Sequence, residues 1–95
     1  MTEVSALQAM IREAEKALDL RRVYLFGSRA RGDARTDSDI DLAFEHGSPP
    51  PVWADFVNAM QEGAPTLLDL DLVDLAQVSA DLRTRILSEG KLLYG

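Results

Sequence analysis

A short apolar run, Val23-Tyr24-Leu25-Phe26, ends abruptly at Gly27-Ser28, and ten residues after that serine the chain carries Asp39-Ile40-Asp41. No other feature constrains the fold as much. Four apolar or aromatic residues without alternation suit a strand covered on both faces, hence a central place in a sheet. Gly27-Ser28 breaks the strand and Ala30-Arg31 offers a short helix start, which aims backbone N–H groups at whatever lies above the strand end. A second strand, Ile40 to Phe44, has its faces fixed by the two-residue period. Asp39, Asp41 and Ala43 point one way, and Ile40, Leu42 and Phe44 the other. The stretch from Gly27 to Leu42 therefore couples phosphate-binding chemistry to metal-binding chemistry.

The flanking segments read as scaffold. Val4, Leu7, Met10 or Ile11, Ala14 and Leu18 recur at three- and four-residue steps, predicting an amphipathic helix from about Thr2 to Leu20. Ser5 with Gln8 resembles a capping box, and Thr2 is an earlier candidate cap. His46-Gly47-Ser48-Pro49-Pro50-Pro51 reads as a turn-rich linker without regular structure, with His46 on the surface and not a ligand. Trp53, Phe56, Val57 and Met60 predict a core-facing helix from Val52 to Glu62, stopped by Gly63 and Pro65. Leu67 to Leu75 alternates as a third strand, with Leu68, Leu70 and Leu72 opposite Asp69, Asp71 and Val73. Ser79 caps a last helix to about Glu89, with Leu82, Ile86 and Leu87 inward and Gly90 as the stop. The apolar tail from Lys91 to Gly95 either packs back on the domain or forms a subunit contact. The order α-β-(α)-β-α-β-α leaves a parallel and a mixed sheet both open.

Composition narrows the function. The 95 residues are expected to form a single domain over 1–95. Apolar stretches of a few residues cannot span a bilayer, and the N-terminus lacks the basic and apolar regions of a signal peptide. A cytoplasmic protein is expected. The absence of cysteine excludes disulfides and thiolate metal sites. A net charge of −6 argues against binding a long nucleic acid. Arginines 21, 22, 29, 31 and 35, against the single acid Asp33, form a basic island better matched to one small polyphosphate.

Aspartate is a poor strand residue, yet Asp39 and Asp41 share a face roughly 6–7 Å apart. Without a cation they repel and raise each other's pKa; magnesium, with its preference for oxygen ligands and phosphate, removes the conflict. Two-metal transfer calls for a third carboxylate on a neighbouring strand. Asp71 is the choice, between apolar neighbours; Asp69 shares its face and is the alternative, while Asp74 falls on the other face. Gly27 permits close backbone approach and Ser28 donates to phosphate oxygen. Ser38 joins the same phosphate-contacting set. Arg29 and Arg31 offset triphosphate charge, although only one of them can face a nucleotide if the turn is helical. Gly27 and Gly32 have the glycine spacing of a P-loop, but Asp33 stands where the lysine must be.

Gly27-Ser28, ten residues and Asp39-Ile40-Asp41, together with Asp71-Leu72-Val73-Asp74-Leu75 and the ending from Arg85 to Tyr94, resemble the DNA polymerase beta-like nucleotidyltransferase superfamily. Within it the chain resembles the minimal nucleotidyltransferase (MNT) domains. The resemblance implies an α/β (α+β) nucleotidyltransferase fold, a small three- to four-stranded mixed sheet flanked by helices. It also implies transfer of a nucleoside monophosphate from ATP or another NTP, using two Mg²⁺ ions held by Asp39, Asp41 and Asp71, with Asp71 helping to deprotonate the acceptor. Larger relatives carry acceptor modules for which 95 residues leave no space, so a partner chain is expected to bring the acceptor. MNT proteins are typically paired with HEPN-type toxins, which implies a hetero-oligomer and AMP transfer to a toxin tyrosine. The alternatives are an antitoxin acting by contact alone and a subunit of a small-molecule, antibiotic-type nucleotidyltransferase.

Overall fold

In the computed structural model, which describes residues 3–32, 39–63 and 69–95, the chain runs α1 (Glu3–Ala17), β1 (Leu20–Phe26), α2 (Ser28–Arg31), β2 (Ile40–His46), α3 (Pro50–Gly63), β3 (Leu70–Asp74), α4 (Ala80–Glu89) and β4 (Lys91–Tyr94). The sheet is mixed, in the order β3-β2-β1-β4. β1 is antiparallel to both β2 and β4, whereas β2 and β3 are parallel. A parallel pair needs a crossover long enough to return the chain, and α3 is that crossover. The choice between parallel and mixed is thereby settled by which connections carry a full helix.

The two faces of the sheet are covered separately. Met10, Ala14 and Leu18 from the α1 segment and Phe56 and Met60 from α3 pack on Val23, Leu25, Ile40, Leu42 and Phe44. Ile86 of α4 packs on the opposite face against Ala43 and Leu75, with Tyr24, Phe26 and Val73 alongside. β1 is thus internal and covered on both sides. Asp41, alternating with Ile40 and Leu42, falls on the α4 face. That parity places the acids.

Several boundaries differ from expectation for identifiable reasons. α1 stops at Ala17 because pairing takes over: Gly47 N–H donates to Asp19 O (2.9 Å) and Asp19 N–H to Ser48 Oγ (2.7 Å). The expected capping box at Ser5 lies inside the helix, and Thr2 is outside the described residues. β1 begins at Leu20, three residues before the apolar run. Its two exposed arginines were not legible as strand, but Arg22 pairs across to Glu45 at 2.8 Å. α3 takes in Pro50 and Pro51, since proline is tolerated in a first turn whose N–H groups have no helical partner. Pro49 O accepts from Val52 and Trp53 instead. The C-terminal tail packs back as a strand, β4, bonded to β1.

His46 is not on the surface. β2 continues past Phe44, and the two-residue parity carries His46 onto the same face, where its side chain is 2% exposed. It stacks on Trp53 with ring centroids 5.0 Å apart. Its Nδ1 accepts from Ser48 N–H (3.1 Å), so in the neutral ring Nε2 carries the proton, 3.0 Å from Asp74 Oδ2. That N–H is not well aimed at the carboxylate, and the approach is a contact without a well-formed hydrogen bond. Leu87 is likewise not inward: Ile86 is 1% exposed and Leu87 50%, because one helical step rotates it off the buried stripe.

Ser79 caps α4, its side chain accepting from Leu82 N–H at 3.2 Å. Ser79→Ala is expected to cost about 1 kcal/mol, read as a lower urea midpoint with unchanged slope.

Candidate active site

The site forms where three adjacent strands present polar groups on the α4 face of the sheet. β2 and β3 pair with Asp41 directly beside Asp71, and β1 and β2 pair with Phe26 opposite Asp41. The residue after Phe26 is Gly27, held at φ +75° and ψ −154°, a region essentially reserved for glycine. A Cβ there would run into Asp41 Oδ2. Glycine thus permits both the turn and the close approach of the carboxylate.

From Gly27 the chain makes one helical turn, α2. Arg31 N–H donates to Gly27 O (3.2 Å), and Gly32, at φ +83°, closes the turn by donating to Ser28 O (3.0 Å). The turn is helical, so its arginines part company. Arg29 Nε donates to the backbone oxygen of Asp39 at 3.2 Å, bracing the start of β2. Arg31 exerts its charge on Asp41 and lines a cavity between α2 and α4. Ser28 is half-buried at the start of α2. Ser38, Asp33 and Arg35 lie outside the described residues.

The Asp41 carboxyl is pushed up to about 6. Burial is the largest cause, followed by the charges of Asp71 and Asp39 and a hydrogen bond with Asp71, while Arg31 pulls the other way. Asp69 is exposed and its backbone oxygen accepts from Ile40 N–H (2.9 Å), whereas Asp71 acts on Asp41 through both charge and hydrogen bond. Asp74 lies at the far end of β3, its Oδ1 accepting from Ala76 N–H.

Among the described residues no three metal-ligating side chains converge as a ready-made cage. The chemistry of the donors nevertheless fits a hard divalent cation: all are carboxylate oxygens, and the burial and neighbouring negative charge that push the Asp41 carboxyl up are what such a cation would offset. One further group belongs to the neighbourhood and was missed in the sequence. Arg85, on α4, lines the same cavity as Gly27 and Arg31. It opens the C-terminal stretch that resembles the superfamily, but nothing in that stretch marks it as a site residue; only the packing of α4 across β1 brings it there.

A mixed sheet carrying paired carboxylates in register beside a glycine-serine turn is the architecture of a nucleotidyl-transfer protein. Residues 8–95 match the family described as Polymerase beta, Nucleotidyltransferase, and the chain belongs to that family. It is 34% identical over 76 residues to the Protein adenylyltransferase MntA of Shewanella oneidensis, an overlap covering 80% of this chain and 55% of that protein. The chain thus spans about half the length of that curated relative. Its structure is similar to a chain in a crystal structure of a toxin-antitoxin with AMP-PNP, with TM-score 0.76 and 26% identity over 99% of this chain and 74% of that one. It is also similar, with TM-score 0.74 and 24% identity over 99% of this chain and 73% of the other, to a chain in the complex of the tri-AMPylated Shewanella oneidensis HEPN toxin with its MNT antitoxin. The latter likeness speaks for the fold alone.

Proposed function

We propose that this chain is an Mg²⁺-dependent protein adenylyltransferase that moves AMP from ATP to a tyrosine hydroxyl of a HEPN-type partner and so acts as its antitoxin, in the cytoplasm and within a hetero-oligomer. The observation that carries the reading is the Asp41–Asp71 pair, in register and hydrogen-bonded beside Gly27. Support for the donor comes from the adenylyltransferase relative and the AMP-PNP complex, and support for a toxin partner from that same toxin-antitoxin complex. Among the described residues no helix is long and apolar enough to cross a membrane.

In this mechanism Gly27 and Ser28 seat the donor phosphates. Asp71 receives the proton of the acceptor hydroxyl as its oxygen bonds to the α-phosphorus; the bond from the α-phosphorus to the bridging oxygen breaks, and pyrophosphate leaves. Arg31 offsets the negative charge that develops on the phosphoryl oxygens. Bound at Asp39, Asp41 and Asp71, magnesium supplies Lewis-acid stabilisation of that charge. The third acid, Asp71, is exposed, which leaves it accessible to an acceptor carried by a partner chain.

Co-expression with the partner toxin tests the role in cells. Wild type is expected to restore growth, and Asp39→Ala/Asp41→Ala to fail despite equal expression and retained co-purification. Full rescue by the double variant would leave an antitoxin that works by contact.

A further inference from the structure

We propose that Arg85 of α4, together with Arg31, forms the seat for the terminal phosphates of the donor and so selects a nucleoside triphosphate over a monophosphate. The inference rests on the proposed transfer reaction and adds a residue from outside the Gly-Ser and aspartate motifs.

The order of strands across the sheet sets the order of groups along the reaction axis. Asp71 stands on β3, Asp41 on β2 and Gly27 at the end of β1. Phosphoryl transfer places the attacking and leaving oxygens roughly in line on opposite sides of the phosphorus. With the acceptor over Asp71 and the α-phosphorus over Asp41, the pyrophosphate portion extends past Gly27, away from β3. A cavity of about 140 Å³ lies at that place, between α2 and α4, with Gly27, Arg31 and Arg85 among its lining residues.

Its chemistry matches a polyanion. Two guanidiniums, each able to fork onto phosphate oxygens, outweigh the carboxylate of Glu89 on the same wall. Arg85 is exposed, and no carboxylate among the described residues pairs with it. The remaining wall, Phe26, Leu82 and Ile86, is apolar, which reduces competition by water for those charges. Because α4 is anchored by buried Ile86, the neighbouring Arg85 is held on a rigid element at a fixed height above β1.

Equilibrium binding of ATP and AMP to the full chain with Mg²⁺, for wild type, Arg85→Ala and Arg85→Lys, tests the proposal. Wild type is expected to favour ATP over AMP. Arg85→Ala is expected to lose about tenfold or more in ATP affinity, with AMP affinity and melting temperature unchanged. Arg85→Lys, which keeps the charge but not the fork, is expected to fall between them. With the partner present, the loss appears in KM for ATP. ATP affinity unchanged in Arg85→Ala would overturn the role of Arg85 and leave the transfer reaction standing. A wild-type protein that binds neither nucleotide would overturn both.

Discussion

Asp41→Asn is expected to reduce adenylyl transfer by roughly 10³-fold or more while making the unliganded protein more stable above pH 6. Both effects come from one crowded carboxylate. In the folded chain Asp41 is raised from 3.8 to about 6 by burial and by the charges of Asp71 and Asp39. Between those values the folded state holds more protons than the unfolded one, so stability falls as pH rises from about 4 to about 6 and stays reduced above it. Asparagine cannot ionise, keeps a donor for the hydrogen bond to Asp71, and removes that fall. Thermal melts across pH 4–8 read the difference, with the two proteins converging toward pH 4. Magnesium is expected to raise the wild-type melting temperature above pH 6, where Asp41 is ionised, and to lose that effect as protons compete below it. In Asp41→Asn the magnesium effect is expected to be small at every pH. A wild-type melting temperature insensitive to magnesium at pH 8 would contradict the account.

Gly27→Ala is expected to lose about 2 kcal/mol of stability and roughly 10²-fold in transfer rate. A methyl group at φ +75° and ψ −154° occupies a backbone region that side chains avoid, and it points at Asp41 Oδ2. Relief requires either the turn or the carboxylate to move, and each displaces a group to which the proposed mechanism assigns phosphate or metal binding. Gly32, at φ +83°, has open space where its Cβ would stand, so Gly32→Ala carries backbone strain without the collision. Urea denaturation of the two variants is expected to place Gly27→Ala lower, with the larger loss of transfer confined to it. Equal transfer rates in the two variants would dissociate the close approach at Gly27 from catalysis.

Much of the geometry of the candidate site was legible because alternation in a strand is a strict rule. The parity that sets Asp41 opposite Ile40 and Leu42 is the parity observed, and the glycine at the end of a buried strand is where the turn occurs. The same rule, carried two residues further, would have buried His46. It was overlooked because the following Gly-Ser-Pro run reads as linker and a lone polar residue beside it reads as surface. Arg21 and Arg22 conceal the first turns of β1 for a related reason: pairing to β2 depends on backbone bonds and on Glu45, which lies distant in sequence. Leu87 was misplaced because two adjacent leucine-type residues in a helix cannot both face a narrow core, and only packing decides which does. Arg85 was invisible, since no local pattern states which helix lies over Gly27. Asp71 was legible as a mid-strand acid, but its contact with Asp41 depends on the register of β2 and β3.

The intact mass of the partner toxin, measured after incubation with this chain, ATP and Mg²⁺, tests the central claim most directly. A gain of one or more adenylyl groups, mapped to tyrosine, absent without Mg²⁺ and absent with Asp39→Ala/Asp41→Ala, is the predicted result. An unchanged mass for a toxin that the wild-type chain nonetheless binds and silences would contradict it.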